Sequence, residues 1–329
     1  MRSVLVTGVG GGVGQSILKA LQGSRYRTVG VDSEAVAAGL HAVPRAYKGL
    51  YAKDPRFVDR LMEICLAEGC GLIFPGHDAE LIPLSMQADR LRAEGVIPIV
   101  SSERVVRMCD DKLATQEFLA DLGLPVLETR NLGEVTEFGG PVVLKPRRGG
   151  ARSRATYVAR SAKEFAAYRQ LVDPDNCVVQ EYVEGDEYTC GSVTLDGVCQ
   201  GVIAMRRILR DGDTYKAFVE HPSPLDSAVR TIVEALKPFG GCNVQLRVRN
   251  GKPYVFEINA RCSGTTAARA LAGFNEPKIV ADFLFDGSLP EPTIREIGIL
   301  RYWKELVVLP ERIEKLQKVG VLSGDGMQL

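Results

Sequence analysis

The sequence predicts an α/β chain whose first hundred residues form a parallel sheet flanked by helices and whose remainder is richer in hairpins. Three observations carry this. Short β-branched or apolar runs alternate with amphipathic helical patterns from the N-terminus to about residue 102. The runs are nearly continuously apolar, as in strands covered on both faces. Beyond residue 180, Asp196-Gly197 and Asn250-Gly251 each sit between two strand-like runs, the signature of tight β-hairpins.

"SVLVTG" reads as the first strand, and "GGGVGQSILKALQ" as a helix with Val13, Ile17, Leu18 and Leu21 on its apolar face. "YRTVGVDS" is a strand ending at Asp32, "DPRFVDRLMEICLAEG" a helix and "GLIFPG" a strand. "LIPLSMQADRLRAEG" reads as one further helix and "VIPIVS" as a strand. A helix starting near Asp110, capped by Asp110 or Asp111, ends at Gly123 with Pro125 just beyond. "PVVLKP", "ATYVA" and "NCVVQEYVEG" are strands, with "SAKEFAAYRQLV" a helix between the last two. Residues 187–209 form a hairpin, "SAVRTIVEALKPFG" a helix and "CNVQLRVRNGKPYVFEINAR" a second hairpin, in which Val255, Phe256 and Ile258 belong to the core. Helices follow at about Thr265–Leu271 and Pro277–Phe285, and "PERIEKLQKVG" reads as a surface helix.

The bulk numbers narrow the function classes. With 329 residues, 45% hydrophobic, and Lys+Arg balancing Asp+Glu at 41 each, the profile is that of a soluble globular protein. The balance gives no general attraction to nucleic acid or an anionic membrane. No apolar run approaches the roughly 20 residues of a membrane span. The glycine-rich start is unlike a signal peptide, so the eight scattered cysteines, none in CxxC spacing, read as thiols of a cytoplasmic protein. Three histidines far apart give zinc little support.

The loop "VTGVGGGVG" invites a dinucleotide reading, but strict GxGxxG is absent. Gly8, Gly11 and Gly14 fit the looser spacing of extended short-chain dehydrogenases, with Asp32 placed for a ribose hydroxyl. The Tyr-x-x-x-Lys pair that such chemistry needs does not occur. Tight strand–helix packing is the competing explanation.

The second half carries more. Lys145 ends an apolar strand and precedes Gly149-Gly150, so it is placed for a polyphosphate that the loop covers with backbone N–H groups; a snorkelling lysine is the plainer alternative. No GxxxxGK[ST] occurs, which excludes a P-loop. In "VVQEYVEGDEY", Glu181 and the backbone of Val183 suit the amino edge of adenine and Glu187 the ribose hydroxyls, against a surface acidic turn. Glu257, Asn259 and Arg261 share one strand face at i, i+2 and i+4. With Gln245 across the hairpin, Glu257 and Asn259 offer oxygen ligands suited to Mg²⁺, and Arg261 suits a transferring phosphoryl group. A solvated edge is the alternative for that face in isolation. Ser263, Gly264 and Thr265 open a helix and suit a substrate carboxylate, with Arg206 and Arg207 as further candidates. The acceptor is expected between these residues, Gly10–Gln15 and "PGHDAE" at 75–80.

This order of lysine, glycine loop, acidic hinge and E-x-N-x-R strand resembles the ATP-grasp superfamily. The tail "EINARCSGTTAARALAGFNEPKIVADFLFDG" resembles the carbamoyl-phosphate-synthase-large-subunit-like branch, here with a single grasp unit. The resemblance covers residues 1–290. It implies an α/β pre-ATP-grasp domain (1–105) followed by an α+β ATP-grasp fold of two subdomains, 106–182 and 183–329. It further implies Lys112 as a first nucleotide-contacting lysine, Lys145 as the second, Gly149 and Gly150 in the phosphate-covering loop, and adenosine held by Glu181, Val183 and Glu187. Gln245, Glu257 and Asn259 would hold Mg²⁺ or Mn²⁺, with Arg261 and Lys145 assisting catalysis. The expected activity is ATP-dependent joining of a small-molecule carboxylate to an amine or similar nucleophile through an acyl-phosphate, with a homodimer left open. An NAD-dependent oxidoreductase and a catalytically silent ATP-binding protein are the alternatives. "RRGGARSR" departs from the family pattern by being short and arginine-rich.

Overall fold

The computed structural model describes residues 2–149, 155–220, 223–302, 304–324 and 326. The first sheet contains β1 (Ser3–Val6), β2 (Arg27–Asp32), β3 (Arg45–Lys48), β4 (Cys70–Phe74) and β5 (Ile97–Pro98), all parallel. Its helices are α1 (Gly12–Leu21), α2 (Ala38–His41), α3 (Phe57–Glu68), α4 (Leu81–Met86) and α5 (Ala88–Ala93). The single helix expected at "LIPLSMQADRLRAEG" is therefore two, broken at Gln87, whose ψ of 9° leaves helical geometry. Leu81, Leu84, Ala88 and Leu91 stay buried across the break, so the hydrophobic periodicity persists although the helix does not. The strand at "VIPIVS" shrinks to two residues; Pro98 has no N–H for the ladder and sits on an edge strand.

Two helices, α6 (Glu103–Asp110) and α7 (Lys112–Asp121), lead out of this unit. The first was not expected, and position 105 falls inside it: Val106 packs with the first sheet while Val105 and Cys109 pack with the third. Asp111 caps α7 by accepting from the N–H groups of Leu113 and Ala114.

The second sheet is antiparallel, ordered β6-β9-β7-β8, from β6 (Thr129–Asn131), β7 (Val142–Pro146), β8 (Tyr157–Ala159) and β9 (Cys177–Glu181), with α8 (Ala162–Tyr168) beside it. The third has the order β14-β13-β10-β11-β12-β15. Its strands are β10 (Asp186–Leu195), β11 (Val198–Arg210), β12 (Asp213–Glu220), β13 (Gly240–Arg249), β14 (Lys252–Asn259) and β15 (Gly298–Leu300). Both expected hairpin turns have positive φ at their two central residues: 50° and 76° at Asp196-Gly197, 52° and 74° at Asn250-Gly251. One face of this sheet is covered by α9 (Ser223–Leu236), whose Val229, Ile232 and Val233 are fully buried.

The other helices of this half are α10 (Thr266–Leu271), α11 (Glu276–Asp286) and α12 (Pro310–Val319). Ile279, Val280 and Ala281 of α11 join Val4, Val6 and Ile17 of the first unit and Ile203 and Met205 of β11 in one continuous core. After α12 the chain returns to the first sheet: β16 (Val321–Ser323) pairs antiparallel with β3. The surface helix expected at 310–319 thus buries Leu316 completely. Among the described residues, no helix is long and apolar enough to cross a membrane.

Candidate active site between the sheets

Two cavities meet on the inner face of the third sheet. One, of ≈ 360 Å³, lies between the second and third sheets. The other, of ≈ 420 Å³, lies between the third sheet, the loop Gly10–Val13 and the segment Gly76–Asp78. Arg207, Gly212, Gln245 and Glu257 line both, so the cavities join along these residues.

A bulge in β14 shapes the junction. Gln245 pairs with Glu257 and Leu246 with Val255, so Phe256 is the extra residue, opposite nothing. Alternation is reset there, and Tyr254, Phe256 and Glu257 all line the inter-sheet cavity while Val255 and Ile258 remain in the core. Phe256, expected in the core, is a cavity wall, and its carbonyl accepts a hydrogen bond from Lys145 Nζ at 3.0 Å. Burial pushes the Lys145 amine down to about 8, against the opposing pull of Glu257, with Lys112 adding to the fall. Lys112 lines the same cavity and donates to the Asp110 carbonyl at 3.2 Å.

Below the loop expected to cover phosphates, Asp111 gathers Arg147 Nη2 at 2.8 Å and Arg148 Nη2 at 2.6 Å. Burial raises the Asp111 carboxyl, but the two arginines and the Leu113 N–H prevail and hold it at about 2. Gly149, with φ 69°, donates its N–H to Asp110 Oδ1 at 2.8 Å and does not line the cavity. This loop base is therefore clamped to the start of α7, and the N–H expected to face phosphate is spent inside the protein. Gly150, the other residue expected there, lies outside the described residues.

Glu181, Val183 and Glu187 line the inter-sheet cavity's other end. Glu181 accepts from Arg249 Nη1 at 3.1 Å, and the Val183 carbonyl from Arg247 Nη1 at 3.2 Å. Glu187 is more committed, with one oxygen on Arg207 at 2.7 Å and the other on Arg247 at 2.7 Å. The hinge between β9 and β10 requires glycine at 185: φ is 142°, and a Cβ there would lie 2.0 Å from the Val248 carbonyl oxygen.

Glu257 stands at the junction with no hydrogen bond from any described residue. Gln245, opposite, gives its Oε1 to Arg207 Nη2 at 2.6 Å. On the same strand face, Asn259 accepts from Arg261 Nη2 at 3.2 Å through Oδ1, while its Nδ2 is buried without a partner. The open Glu257 carboxylate and the Gln245 and Asn259 amide oxygens, each amide already accepting from an arginine, fit a hard cation that completes its shell with water and phosphate oxygens, whereas the orphaned Asn259 Nδ2 is a donor and ligates no cation. They supply one carboxylate, and among the described residues no cluster of three His, Cys, Asp or Glu exists that would hold a metal alone.

Arg261 is not directed at open space. Asp78 grips it with Oδ1 at 2.6 Å from Nε and Oδ2 at 2.8 Å from Nη2. Burial works against the Asp78 charge, but Arg261 prevails and holds its carboxyl below the usual range. Both residues line the second cavity, so this pair joins the two units across it.

Ser263, Gly264 and Thr265 line the second cavity, but the donors of Ser263 and Thr265 face inward. Thr265 N–H donates to Ser263 Oγ, Ser263 N–H to Thr266 Oγ1 and Thr266 N–H to the Ser263 carbonyl. The expected carboxylate cradle at the start of this short helix is thus filled by its own side chains. Arg206 is a correction as well: it pairs with Glu220 on the opposite sheet face, and the cavities take Arg207 instead. Strand alternation separates the two arginines, and the sequence alone did not say which faced in. Arg301 was missed. It reaches the second cavity from beyond β15, donating to the Thr214 and Gly264 carbonyls, and no motif surrounds it.

The N-terminal glycine loop is built for packing. A Cβ on Gly14 would stand 2.3 Å from the Gly8 carbonyl oxygen. Gly10 N–H donates to Asp32 Oδ2 at 2.7 Å and Gly11 N–H to the Gly8 carbonyl at 3.0 Å, so neither is free for a pyrophosphate.

A family model described as ATP-grasp in the biosynthetic pathway with Ter operon matches residues 173–303. The D-alanine–D-alanine ligase A of Bacillus cereus is 27% identical over 210 residues, covering 55% of this chain and 68% of that protein. A carbamoyl-phosphate synthase of Methanobrevibacter smithii is 28% identical over 235 residues, covering 64% of this chain and 62% of its own length. The solved ADP complex of purK, an N5-carboxyaminoimidazole ribonucleotide synthetase, superposes with a TM-score of 0.73 at 15% identity, over 97% of this chain and 84% of that one. At that identity the likeness is one of fold.

Proposed function

Because the chain belongs to the ATP-grasp superfamily, we propose that it is an ATP- and Mg²⁺-dependent ligase joining a small-molecule carboxylate to an amine. The observation that carries this reading is Glu257, an unpaired carboxylate where two cavities meet. The inter-sheet cavity, with apolar walls from Val143, Val158, Leu209 and Phe256, takes the nucleotide. The second cavity takes the acid.

Lys145 and Lys112 meet the phosphates; the low pKa of Lys145 reflects a buried charge that the pull of Glu257 only partly offsets, and an entering phosphate adds a second anion beside it. Glu257 and Asn259, with Gln245, would hold Mg²⁺, which screens the repulsion between carboxylate and γ-phosphate. The carboxylate oxygen attacks the γ-phosphorus, ADP leaves, and the resulting acyl-phosphate is captured by an amine to give an amide and inorganic phosphate. Arg261 stands within the acid's cavity, and Asp78 holds its guanidinium in position for the charge that develops. Walls on both sides keep water from the labile intermediate. All eight cysteines are buried and unbridged, which supports a reducing, cytoplasmic setting.

The test is to incubate the protein with ATP, Mg²⁺, panels of small acids and hydroxylamine. ADP and hydroxamate forming together support the ligase; ATP consumption with no acid-dependent hydroxamate in any panel rejects it. The dinucleotide alternative finds no support at Gly10 and Gly11, whose N–H groups are spent on Asp32 and the Gly8 carbonyl.

A further inference from the structure

A third cavity, of ≈ 430 Å³, lies on the far side of the glycine loop, where β1, β2, β3 and β4 end. Crevices at the carboxyl ends of parallel strands are where open α/β sheets take ligands. Its chemistry differs from that of the other two. Asp32, Glu34 and Glu80 line it, and no lysine or arginine does among the described residues. The opposite wall is apolar, from Val31, Leu50 and Phe57.

Glu80 is the second, independent observation. It is only 7% exposed, and its three hydrogen bonds, from Thr7 Oγ1, Gly76 N–H and His77 N–H, all fall on Oε2. Oε1 accepts from no described residue, Glu80 lines the cavity, and burial, aided by nearby Asp32, pushes its carboxyl up to about 7, so a cation set against it would offset both effects. A buried carboxylate oxygen held in place by its partner atom and left without a donor calls for a donor from a ligand. An anion is disfavoured by the three carboxylates, and the N–H groups of Gly10 and Gly11 that would receive one are spent inside the loop. A zwitterion would leave its carboxylate without a cationic partner.

We propose that this cavity binds a primary amine carrying a short apolar group, its ammonium donating to Glu80 Oε1 and its hydrocarbon body lying against Val31, Leu50 and Phe57. His77 lines both this cavity and the acid's cavity, so the bound amine is separated from the proposed acyl-phosphate site only by the glycine loop and one side chain. His77 Nδ1 accepts from the Ala79 N–H, which leaves Nε2 as the proton-bearing nitrogen of the neutral ring. The inference concerns binding, and it stands whether or not the ligase reading does.

The experiment is calorimetric titration of the full chain without ATP, using isopentylamine and phenethylamine, with 3-phenylpropionate and 2-phenylethanol as matched probes. The amines are expected to bind at one saturable site and the acid and alcohol at least tenfold more weakly. Glu80→Gln should weaken amine binding about tenfold or more, the scale of one charge-assisted hydrogen bond. Val36→Trp, at an exposed position on the rim, should block the amines while leaving Glu80 untouched, which covers the case of a Glu80 variant that fails to fold. Absence of amine binding, equal binding of 3-phenylpropionate, or amine affinity unchanged in Val36→Trp overturns the proposal. The hydroxamate assay reads a different cavity, so failure of one proposal leaves the other standing.

Discussion

Replacing Lys145 with methionine should make the nucleotide-free protein more stable and the nucleotide-bound protein weaker. The Lys145 side chain is 8% exposed, and its amine is pushed down from its ordinary 10.5 to about 8, chiefly by burial. That displacement costs the charged form about 3 kcal/mol. The sign follows from proton binding: between pH 8 and 10.5 the unfolded chain holds the proton more tightly, so native stability rises with pH across that window. Below pH 8 the whole penalty is present. Methionine removes it and also removes the hydrogen bond to the Phe256 carbonyl, worth about 1–2 kcal/mol. The net expectation is a variant more stable by about 1–2 kcal/mol at pH 7, an advantage that vanishes and reverses above pH 10. Urea denaturation at the two pH values reads this, and thermal shift with ATP and Mg²⁺ reads the nucleotide side, where the variant should lose most of the stabilisation. A variant less stable than the parent at pH 7, or one with an equal nucleotide shift, refutes the reasoning.

Glu257→Gln should abolish Mg²⁺-dependent ADP release with an unchanged far-ultraviolet circular dichroism spectrum; undiminished turnover would remove Glu257 from the metal site. Arg207→Ala, which takes away one of the two arginine partners of Glu187 and frees the Gln245 oxygen, should raise the KM for ATP, whereas Arg206→Ala on the opposite face should leave it unchanged; equal effects would contradict the assigned faces. Leu316→Ala should cost about 2–4 kcal/mol through the cavity it leaves, with faster amide exchange at Arg45–Lys48 next to β16; protection there equal to the parent's would show that α12 does not hold β16 in place.

Much of the fold was legible because its signals are local. The strand runs at β1, β2, β4, β7 and β9, the two hairpin turns and the Asp111 cap each depend on residues close in sequence, and each is where the spacing placed it, whereas β3, β6, β12, β15 and β16 were not foreseen. What was missed depends on partners distant in the chain. α6 buries Val105, Val106 and Cys109 along one side, but that side is shared between two cores whose other members lie far off in the chain, so its place was not legible locally. The Phe256 bulge is set by register against β13, and strict alternation along "VFEINAR" put that ring on the wrong side. The commitments of Arg261 to Asp78 and of the Gly10 N–H to Asp32 depend on how the units pack, which residue type alone does not reveal. The pairing of Lys145 with the Phe256 carbonyl is similar: the lysine was identifiable, its partner was not.

The return of β16 to β3 has a consequence for how the molecule is made. Tyr47 finds its neighbour Val321 only after all of the second and third sheets has been synthesised. Until then the outer edge of β3 presents unpaired N–H and C=O groups, and closing so long a loop is among the slower events in folding. On a ribosome, the first unit would therefore emerge with one raw edge exposed, open to pairing with another nascent chain. Brief occupancy of that edge by a chaperone, or fast folding of the intervening sheets, then decides how much of the protein reaches its native form.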